Sequence, residues 1–140
     1  MASLLGRVAA AGFAVMAVAG CASEERGVVL RDERRSEALN VAPANARGDV
    51  LAFMRAYLNN PSGIKEATAS EPALKPVGRV QRYIVCLRYN ARDADGKYTG
   101  AKDRMAVYVD GKLDQLVEQP RDLCAGIDQK PFPELERLTR

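Results

Sequence analysis

The feature that most constrains the fold of this chain is a strict alternation of side-chain types over residues 79–91. One set of alternate positions is apolar and rich in aromatic rings: Tyr83, Val85, Leu87 and Tyr89. The intervening set consists of Arg82, Ile84, Cys86 and Arg88. Successive side chains of a β-strand point to opposite faces of its sheet. The alternation therefore predicts a long strand with its aromatic face turned to the core.

Two further strands are predicted after this one. Residues 103–110 alternate in the same way. One face carries Met105, Val107 and Val109, and the other carries Arg104, Ala106 and Tyr108. Asp110-Gly111 is a strong signal for a two-residue hairpin loop, because both residue types tolerate the positive φ angles that such a loop requires. Residues 112–118 then return as the next strand, which completes an antiparallel meander.

The stretch before the meander gives weaker signals. Residues 62–69 are expected to form a first strand. Residues 71–78 contain Pro72 and Pro76, which cannot donate a backbone hydrogen bond. This second stretch is therefore expected to be a connection or an edge.

Residues 49–59 carry the clearest helical pattern in the chain. Their apolar side chains recur at spacings of three and four: Val50, Leu51, Phe53, Met54, Tyr57 and Leu58. Asn45 or Asp49 can cap the start of this helix, and Pro61 prevents its continuation. The apolar stripe is typical of a helix that packs on its own sheet; a partner-binding face is the alternative.

The elements together predict an α+β fold. We expect one amphipathic helix packed on a small antiparallel β-meander of three to four strands, with a disordered N-terminal tether. Beyond Pro120 we expect an irregular tail that carries Cys124 and ends in a short helical turn with Pro133 at its first position.

The first 21 residues have the organisation of an export signal. Arg7 precedes an apolar run over residues 8–18, which is shorter than the roughly 20 residues needed to span a bilayer core. The run ends in Val18-Ala19-Gly20-Cys21. This ending resembles the lipobox of bacterial lipoproteins, which has an aliphatic residue, two small residues and then an obligatory cysteine. An ordinary secretory signal with a chance cysteine, or a short buried helix, are the alternatives.

The resemblance implies a lipid anchor. Cys21 would carry a diacylglyceryl group, and a dedicated signal peptidase would cut between Gly20 and Cys21. Two or three acyl chains hold a protein durably at a membrane. The residue after the cysteine is Ala22 rather than Asp. The sorting rule of enteric bacteria then implies the periplasmic face of the outer membrane.

Acylation of Cys21 leaves Cys86 and Cys124 as a pair. In an oxidising compartment two such cysteines are more often a disulfide than a metal site. Zinc is disfavoured because the chain has no His and no closely spaced cysteines. A redox pair is the remaining alternative, although catalytic pairs are usually close in sequence.

The charges are nearly balanced, with 21 Lys and Arg against 18 Asp and Glu, and the two signs are interspersed. Nucleic-acid binding favours a basic face of one sign, so no nucleic-acid partner is predicted. The chain is expected to divide into a signal peptide, residues 1–20, a lipid-anchored flexible tether, residues 21–46, and a small α+β domain, residues 47–140. The tether is rich in charge and poor in large apolar side chains.

The loop between the first two predicted meander strands partly matches a calcium-binding loop. Gly96 aligns with the invariant glycine, and Asp93 and Asp95 with the third and fifth positions. Ala91 and Lys102 then occupy the first and last ligand positions, and neither supplies a carboxylate. We therefore expect a plain connecting turn, with no metal and no cofactor.

Enzymatic activity is not predicted. The chain has no His for acid–base work and no Gly-x-Ser-x-Gly nucleophile elbow. Tyrosines and arginines of the meander can line a sugar or peptide surface, although Tyr on a half-buried sheet is more often core. The set is Tyr83, Tyr89, Tyr98 and Tyr108 with Arg82, Arg88, Arg92 and Arg104.

The sequence thus favours a membrane-anchored envelope lipoprotein with a binding or scaffolding role. Its partners would be membrane lipid, through Cys21, and an envelope protein. The expected architecture resembles that of small helix-plus-meander lipoproteins, such as the accessory subunit of the outer-membrane β-barrel assembly machinery; this is analogy at the level of fold. The alternative is a small periplasmic enzyme or ligand-carrying domain. A closed polar pocket would favour that alternative, and an exposed apolar or edge-strand patch the first hypothesis.

Overall fold

A computed structural model describes residues 40–139 of the chain. In chain order the elements are α1 (Ala46–Tyr57), β1 (Lys65–Ser70), β2 (Ala73–Val77), β3 (Val80–Asn90), β4 (Lys102–Val109), β5 (Lys112–Val117), a 3₁₀ helix (Arg121–Cys124), β6 (Gln129–Pro131) and α2 (Pro133–Glu136). The fold is α+β with one main helix, as expected. The signal peptide and residues 21–39 of the predicted tether lie outside the described residues.

The strands form one antiparallel sheet with the order β5-β4-β3-β1-β6. Strand β2 also pairs with β3, on the same side as β1, because β3 is long enough to hold both. The early half of β3 pairs with β2, from Val77↔Val80 to Ala73↔Ile84. Its later half pairs with β1, up to Lys65↔Asn90.

The prediction of three to four strands was wrong, because the described sheet has six. Two strands account for the difference. The proline-containing stretch that was expected to be a connection or an edge forms β2, an edge segment. Strand β6 has only three residues, which is too short for an alternation of side chains to be visible in the sequence.

Both faces of the sheet are covered, so the molecule has two apolar clusters. The cluster on the helix side contains the alternate positions predicted to face the core, together with residues of α1 and α2: Val50, Met54, Ile64, Ala67, Ala69, Val85, Leu87, Tyr89, Ala106, Tyr108, Phe132, Leu135 and Leu138. The cluster on the opposite face is smaller and lies under the C-terminal tail: Ile84, Cys86, Met105 and Val107.

Helix α1 begins three residues before the predicted start. Asn45 is the N-cap, and its side-chain oxygen accepts a hydrogen bond from the backbone N–H of Gly48 at 3.1 Å. Val50 and Met54 are the buried residues of the helix. The hydroxyl of Tyr108 donates a hydrogen bond to the carbonyl of Ala46 at 3.0 Å, which ties the start of α1 to β4.

The tail is more regular than expected. Pro133 occupies the first turn of α2, as predicted. Just before it, the backbone N–H of Phe132 bonds to the carbonyl of Ala67 in β1 at 2.8 Å, and the Phe132 ring is completely buried. The guanidinium of Arg47 lies 4.9 Å from the centre of that ring. The tail therefore closes the helix-side core beside α1.

Candidate functional site

The predicted lipid site, Cys21, lies outside the described residues. Among residues 40–139, no helix is long and apolar enough to cross a membrane. The candidate sites described below therefore all belong to the α+β domain.

Cys86 and Cys124 form a disulfide, with their Cα atoms 5.7 Å apart. Cys86 lies in the middle of β3, on the face opposite the helix, and is fully buried. Its backbone N–H donates a hydrogen bond of 2.9 Å to the hydroxyl of Ser70. Cys124 ends the 3₁₀ helix, and Leu123 and Ile127 pack beside it on the second cluster. The bond therefore fastens the tail over this face.

The loop that partly matched a calcium site is held by its own hydrogen bonds. The side chain of Asp93 accepts the backbone N–H groups of Asp95 and Lys97, each at 2.9 Å. The N–H of Gly96 bonds to the Asp93 carbonyl at 3.1 Å. No group of three or more potential metal-binding side chains occurs within the described part of the chain. Asp93 thus organises a turn.

The tyrosines and arginines considered as a sugar or peptide surface are divided between different places. Tyr89 and Tyr108 are buried on the helix side of the sheet. Arg88 lies on the opposite face and forms an ion pair with Asp103 at 3.1 Å. In the loop after β3, the Tyr98 ring has a cation on each of two sides, at 4.5 Å from Lys65 and 5.1 Å from Arg92.

One open cleft of about 170 Å³ lies beside the end of α1 and the start of β4. Its lining includes the cations Arg92, Lys102 and Arg104 and the side chains of Tyr57 and Glu118. The Tyr57 hydroxyl donates to the Glu118 carboxylate at 2.6 Å. Arg104 donates to the backbone carbonyl of Glu118 at 2.9 Å, while its Nε is buried without a partner among the described atoms.

Electrostatics set the charge states of the side chains that line the cleft. The hydrogen bond to Glu118 raises the pKa of Tyr57, and burial raises the pKa of Tyr89 to about 12. The same hydrogen bond, with help from Arg104, lowers the pKa of Glu118. At neutral pH both tyrosines are therefore neutral donors and Glu118 is a carboxylate. Neither tyrosine is prepared to act as a base or a nucleophile.

The second candidate site is the outer edge of β2. A two-residue loop, Gly78-Arg79, joins β2 to β3, and Gly78 has the positive φ that such a loop favours. In a hairpin with a two-residue loop, the residues on either side of the loop, here Val77 and Val80, form backbone hydrogen bonds with each other. Further along the two strands, pairs of opposite residues that are hydrogen-bonded alternate with pairs that are not. Every second residue of β2 therefore directs its backbone groups away from β3.

Those outward-facing residues are Leu74 and Pro76. Within residues 40–139, β2 pairs with β3 alone, so no described strand pairs with its other side. Pro76 lacks an N–H and offers only its carbonyl, whereas Leu74 offers both backbone groups. The Leu74 side chain is 48% exposed, although it faces the helix side of the sheet. It stays uncovered because α1 packs mainly on β5 and α2 on β1.

The sequence predicted an edge in this region but not a strand. The available signal was Gly78, a residue typical of a tight loop, directly before the long predicted strand, and Pro72 and Pro76 obscured it. No protein-family model, no curated protein and no solved structure matches the chain. Its class is therefore given by the fold and its surfaces: a disulfide-fastened α+β domain in which no described strand pairs with the outer edge of β2 and a shallow cleft is lined by three cations.

Proposed function

We propose that this chain is an envelope lipoprotein, anchored through an acylated Cys21, whose domain binds an extended segment of another envelope protein along the open edge of β2. The proposed place is the periplasmic face of the outer membrane. The role is binding or scaffolding and requires no catalysis. The single observation that carries it is that no described strand pairs with the outer edge of β2, beside the exposed Leu74.

An open edge of this kind suits an extended partner. An incoming strand can form a full pair of hydrogen bonds with Leu74 and donate one more to the carbonyl of Pro76. The missing N–H of Pro76 reduces the number of hydrogen bonds that the outer edge of β2 can form. This protects the edge against indiscriminate pairing between copies of the chain. The exposed Leu74 side chain adds apolar contact, and the alternating pockets of a sheet edge supply specificity.

Two features of the chain support an exported, anchored protein. Val18-Ala19-Gly20-Cys21 satisfies each position of the lipobox pattern. The disulfide between Cys86 and Cys124 suits an oxidising compartment such as the periplasm. The anchor is tested by the intact mass of the protein purified from its own membrane. We expect residues 21–140 plus acyl groups; retention of residues 1–20, or an unmodified Cys21, contradicts it.

The binding edge is tested by crosslinking in cells. A photoreactive amino acid replaces Leu74 in one strain and Ala52, an exposed position of α1, in another. We expect an adduct with one envelope protein from position 74 only, attached at an extended segment. Equal adducts from both positions, or none from position 74, contradict a binding edge at β2.

Binding measured with purified protein and peptide gives the sharper test. A synthetic peptide of the crosslinked segment is titrated into the protein and into two variants, Leu74→Lys and Val41→Lys. The two replaced side chains are matched in exposure, since Leu74 is 48% and Val41 is 49% exposed. We expect Leu74→Lys to weaken binding at least about tenfold, since a desolvated apolar contact is replaced by a charge. Val41→Lys should bind as the parent does. Equal weakening in both variants contradicts the proposal.

A ligand-carrying role is the second candidate, because the cleft gathers Arg92, Lys102 and Arg104. These three cations outnumber the carboxylates of Asp93 and Glu118 in the same lining, which favours a small carboxylate as the ligand. Titration with citrate, followed through the backbone amide signals of residues 92–104, tests it directly. Saturable shifts that Arg104→Gln abolishes support a carrier. Shifts that grow linearly with concentration, or no shifts, speak against it.

A further inference from the structure

The cleft beside the end of α1 has an aromatic ring in its wall. Tyr57 lines the cleft and stacks on Phe53, one helical turn earlier, with the ring centres 5.5 Å apart. The hydrogen bond from its hydroxyl to Glu118 fixes the far end of the side chain. The ring is therefore held in place, yet Tyr57 is 41% exposed. A fixed, exposed ring offers apolar contact area to a ligand at a low cost in conformational entropy.

Polar groups with spare hydrogen-bonding capacity lie around this ring. Lys102 and Thr99 line the same cleft, and neither side chain has a hydrogen-bond partner within residues 40–139. Glu118 accepts the Tyr57 hydroxyl through Oε1, so its Oε2 remains to accept from a ligand. The cleft thus presents donors and an acceptor side by side. Such a mixture fits hydroxyl groups, which both donate and accept.

The charges of the cleft leave an excess of one positive charge. Its lining contains three cations and two carboxylates: Arg92, Lys102, Arg104, Asp93 and Glu118. The neighbouring carboxylate of Asp103 lies on the opposite face of β4, where it forms an ion pair with Arg88 at 3.1 Å. A single excess charge complements a ligand with one carboxylate better than a neutral or a multiply charged molecule.

The dimensions of the cleft limit the ligand to a small ring. Its volume is about 170 Å³, below the roughly 300 Å³ at the lower end of pockets for drug-sized ligands. A second hollow of about 480 Å³ adjoins it, shares Lys102, Arg104 and Glu118, and extends to Pro120. A ligand that places one ring in the cleft can therefore continue as a chain through the second hollow.

We propose that the carboxylate bound in this cleft is a sugar acid, a pyranose with one carboxylate, either free or as a unit of an acidic glycan. The apolar face of the sugar ring packs on Tyr57, its hydroxyl groups bond to Thr99 and Glu118, and its carboxylate lies against Lys102. The inference deepens the ligand-carrying candidate and rests on it for the site. It depends neither on the lipid anchor nor on the edge of β2.

The experiment titrates four ligands into the chain of residues 21–140 with Cys21→Ser, followed through the backbone amide signals of residues 57, 99–104 and 118. Methyl β-D-glucuronide and methyl α-D-galacturonide are the sugar acids. Methyl β-D-glucoside lacks the carboxylate, and cyclohexanecarboxylate lacks the hydroxyl groups. We expect at least one sugar acid to bind saturably and at least about tenfold more tightly than either comparison ligand, because each of these loses one set of polar contacts.

Two variants locate the bound ligand. Lys102→Gln removes the charge that faces the carboxylate, and Tyr57→Leu removes the ring; each should weaken sugar-acid binding at least about fivefold. The matched controls are Lys130→Gln, at an exposed lysine of β6, and Tyr57→Phe, which keeps the ring. Both controls should lose much less affinity than their counterparts. Thermal unfolding verifies that all four variants are folded, and equal losses in variants and controls overturn the proposal.

The ligand series separates this inference from the carrier candidate. Citrate or cyclohexanecarboxylate binding as tightly as both sugar acids would overturn the sugar acid and leave a general carboxylate carrier. No saturable binding by any acid would overturn both, and the Leu74 measurements would still decide the edge of β2.

A tetrasaccharide identifies the source of the sugar acid. A hyaluronan fragment is used where the glucuronide binds, and tetragalacturonate where the galacturonide binds. Tighter binding than the single sugar supports a glycan that continues into the second hollow. Equal or weaker binding supports a free sugar acid, and binding of the tetrasaccharide that survives both Lys102→Gln and Tyr57→Leu overturns the proposed site.

Discussion

The disulfide between Cys86 and Cys124 joins the middle of the central strand β3 to the 3₁₀ helix of the tail, and their Cα atoms lie 5.7 Å apart. The bond therefore connects the buried centre of β3 to a tail whose Leu123 and Ile127 pack on the same face of the sheet. The second face of the sheet is covered because the tail is fastened there.

Reduction of this disulfide should lower the free energy of unfolding by about 4 kcal/mol, on the chain-entropy estimate for a loop of this length. The two cysteines are 38 positions apart, so the unfolded chain gains considerable freedom when the bond is broken. Urea unfolding with and without reductant measures the difference. The Cys86→Ala/Cys124→Ala variant is the control and should not respond to reductant. A reduced protein as stable as the oxidised one would refute the structural role.

Phe132→Ala should lower the free energy of unfolding by about 3–5 kcal/mol, because a completely buried ring is replaced by a cavity. The change also removes the ring that Arg47 covers. Urea unfolding compares it with Leu74→Ala, whose parent side chain is half-exposed; that change should stay within about 0.5 kcal/mol of the parent. Similar losses in the two variants would mean that Phe132 does not close the core.

Asn45→Ala should destabilise the protein by about 1 kcal/mol, because the N–H of Gly48 loses its side-chain acceptor at the start of α1. Asn45→Asp retains an acceptor oxygen and should remain close to the parent in stability. Thermal and urea unfolding of the three proteins give the comparison. Equal destabilisation by Ala and Asp would show that the cap is not the source of the effect.

Stability should fall as the pH rises above 10, because burial raises the pKa of Tyr89 from its ordinary value of 10.0 to about 12. The folded state then holds a proton that the unfolded state has already lost. The stabilisation is complete below pH 10 and is lost as pH rises through the folded pKa, about 2 kcal/mol by pH 12. Burial of Tyr108 acts in the same direction.

Tyr89→Phe isolates this contribution, since Phe cannot ionise. Urea unfolding from neutral pH to pH 12 should show a shallower decline for the variant than for the parent. Identical pH profiles would contradict the assignment of the decline to Tyr89.

Local sequence patterns gave the central part of the fold. The alternation around Tyr83–Tyr89 and the Asp110-Gly111 loop predicted β3, β4 and β5, and the apolar stripe predicted α1. Asn45, one of the two proposed caps, is the cap observed. These features could be predicted because the periodicity of a strand or helix, and the need for a positive φ in a tight loop, depend on residues that are close together in the sequence.

The candidate sites were harder to predict from the sequence. Cys86 and Cys124 were paired correctly because few cysteines were available, and Pro76 marked an edge. The open side of β2 and the uncovered Leu74 depend on which elements lie over which strands, and no local pattern records that.

The sequence by itself determined the strand alternation, the main helix with its cap and the Asp110-Gly111 loop, since each depends on residues within a short span. Tertiary structure decided the pairing of β1 and β2 along one strand, the addition of β6 and the covering of both sheet faces. Strands β2 and β6, with five and three residues, carry too little periodic signal to be recognised from the sequence alone. They become stable only when a long, buried neighbour or another already ordered strand supplies hydrogen bonds and apolar contact.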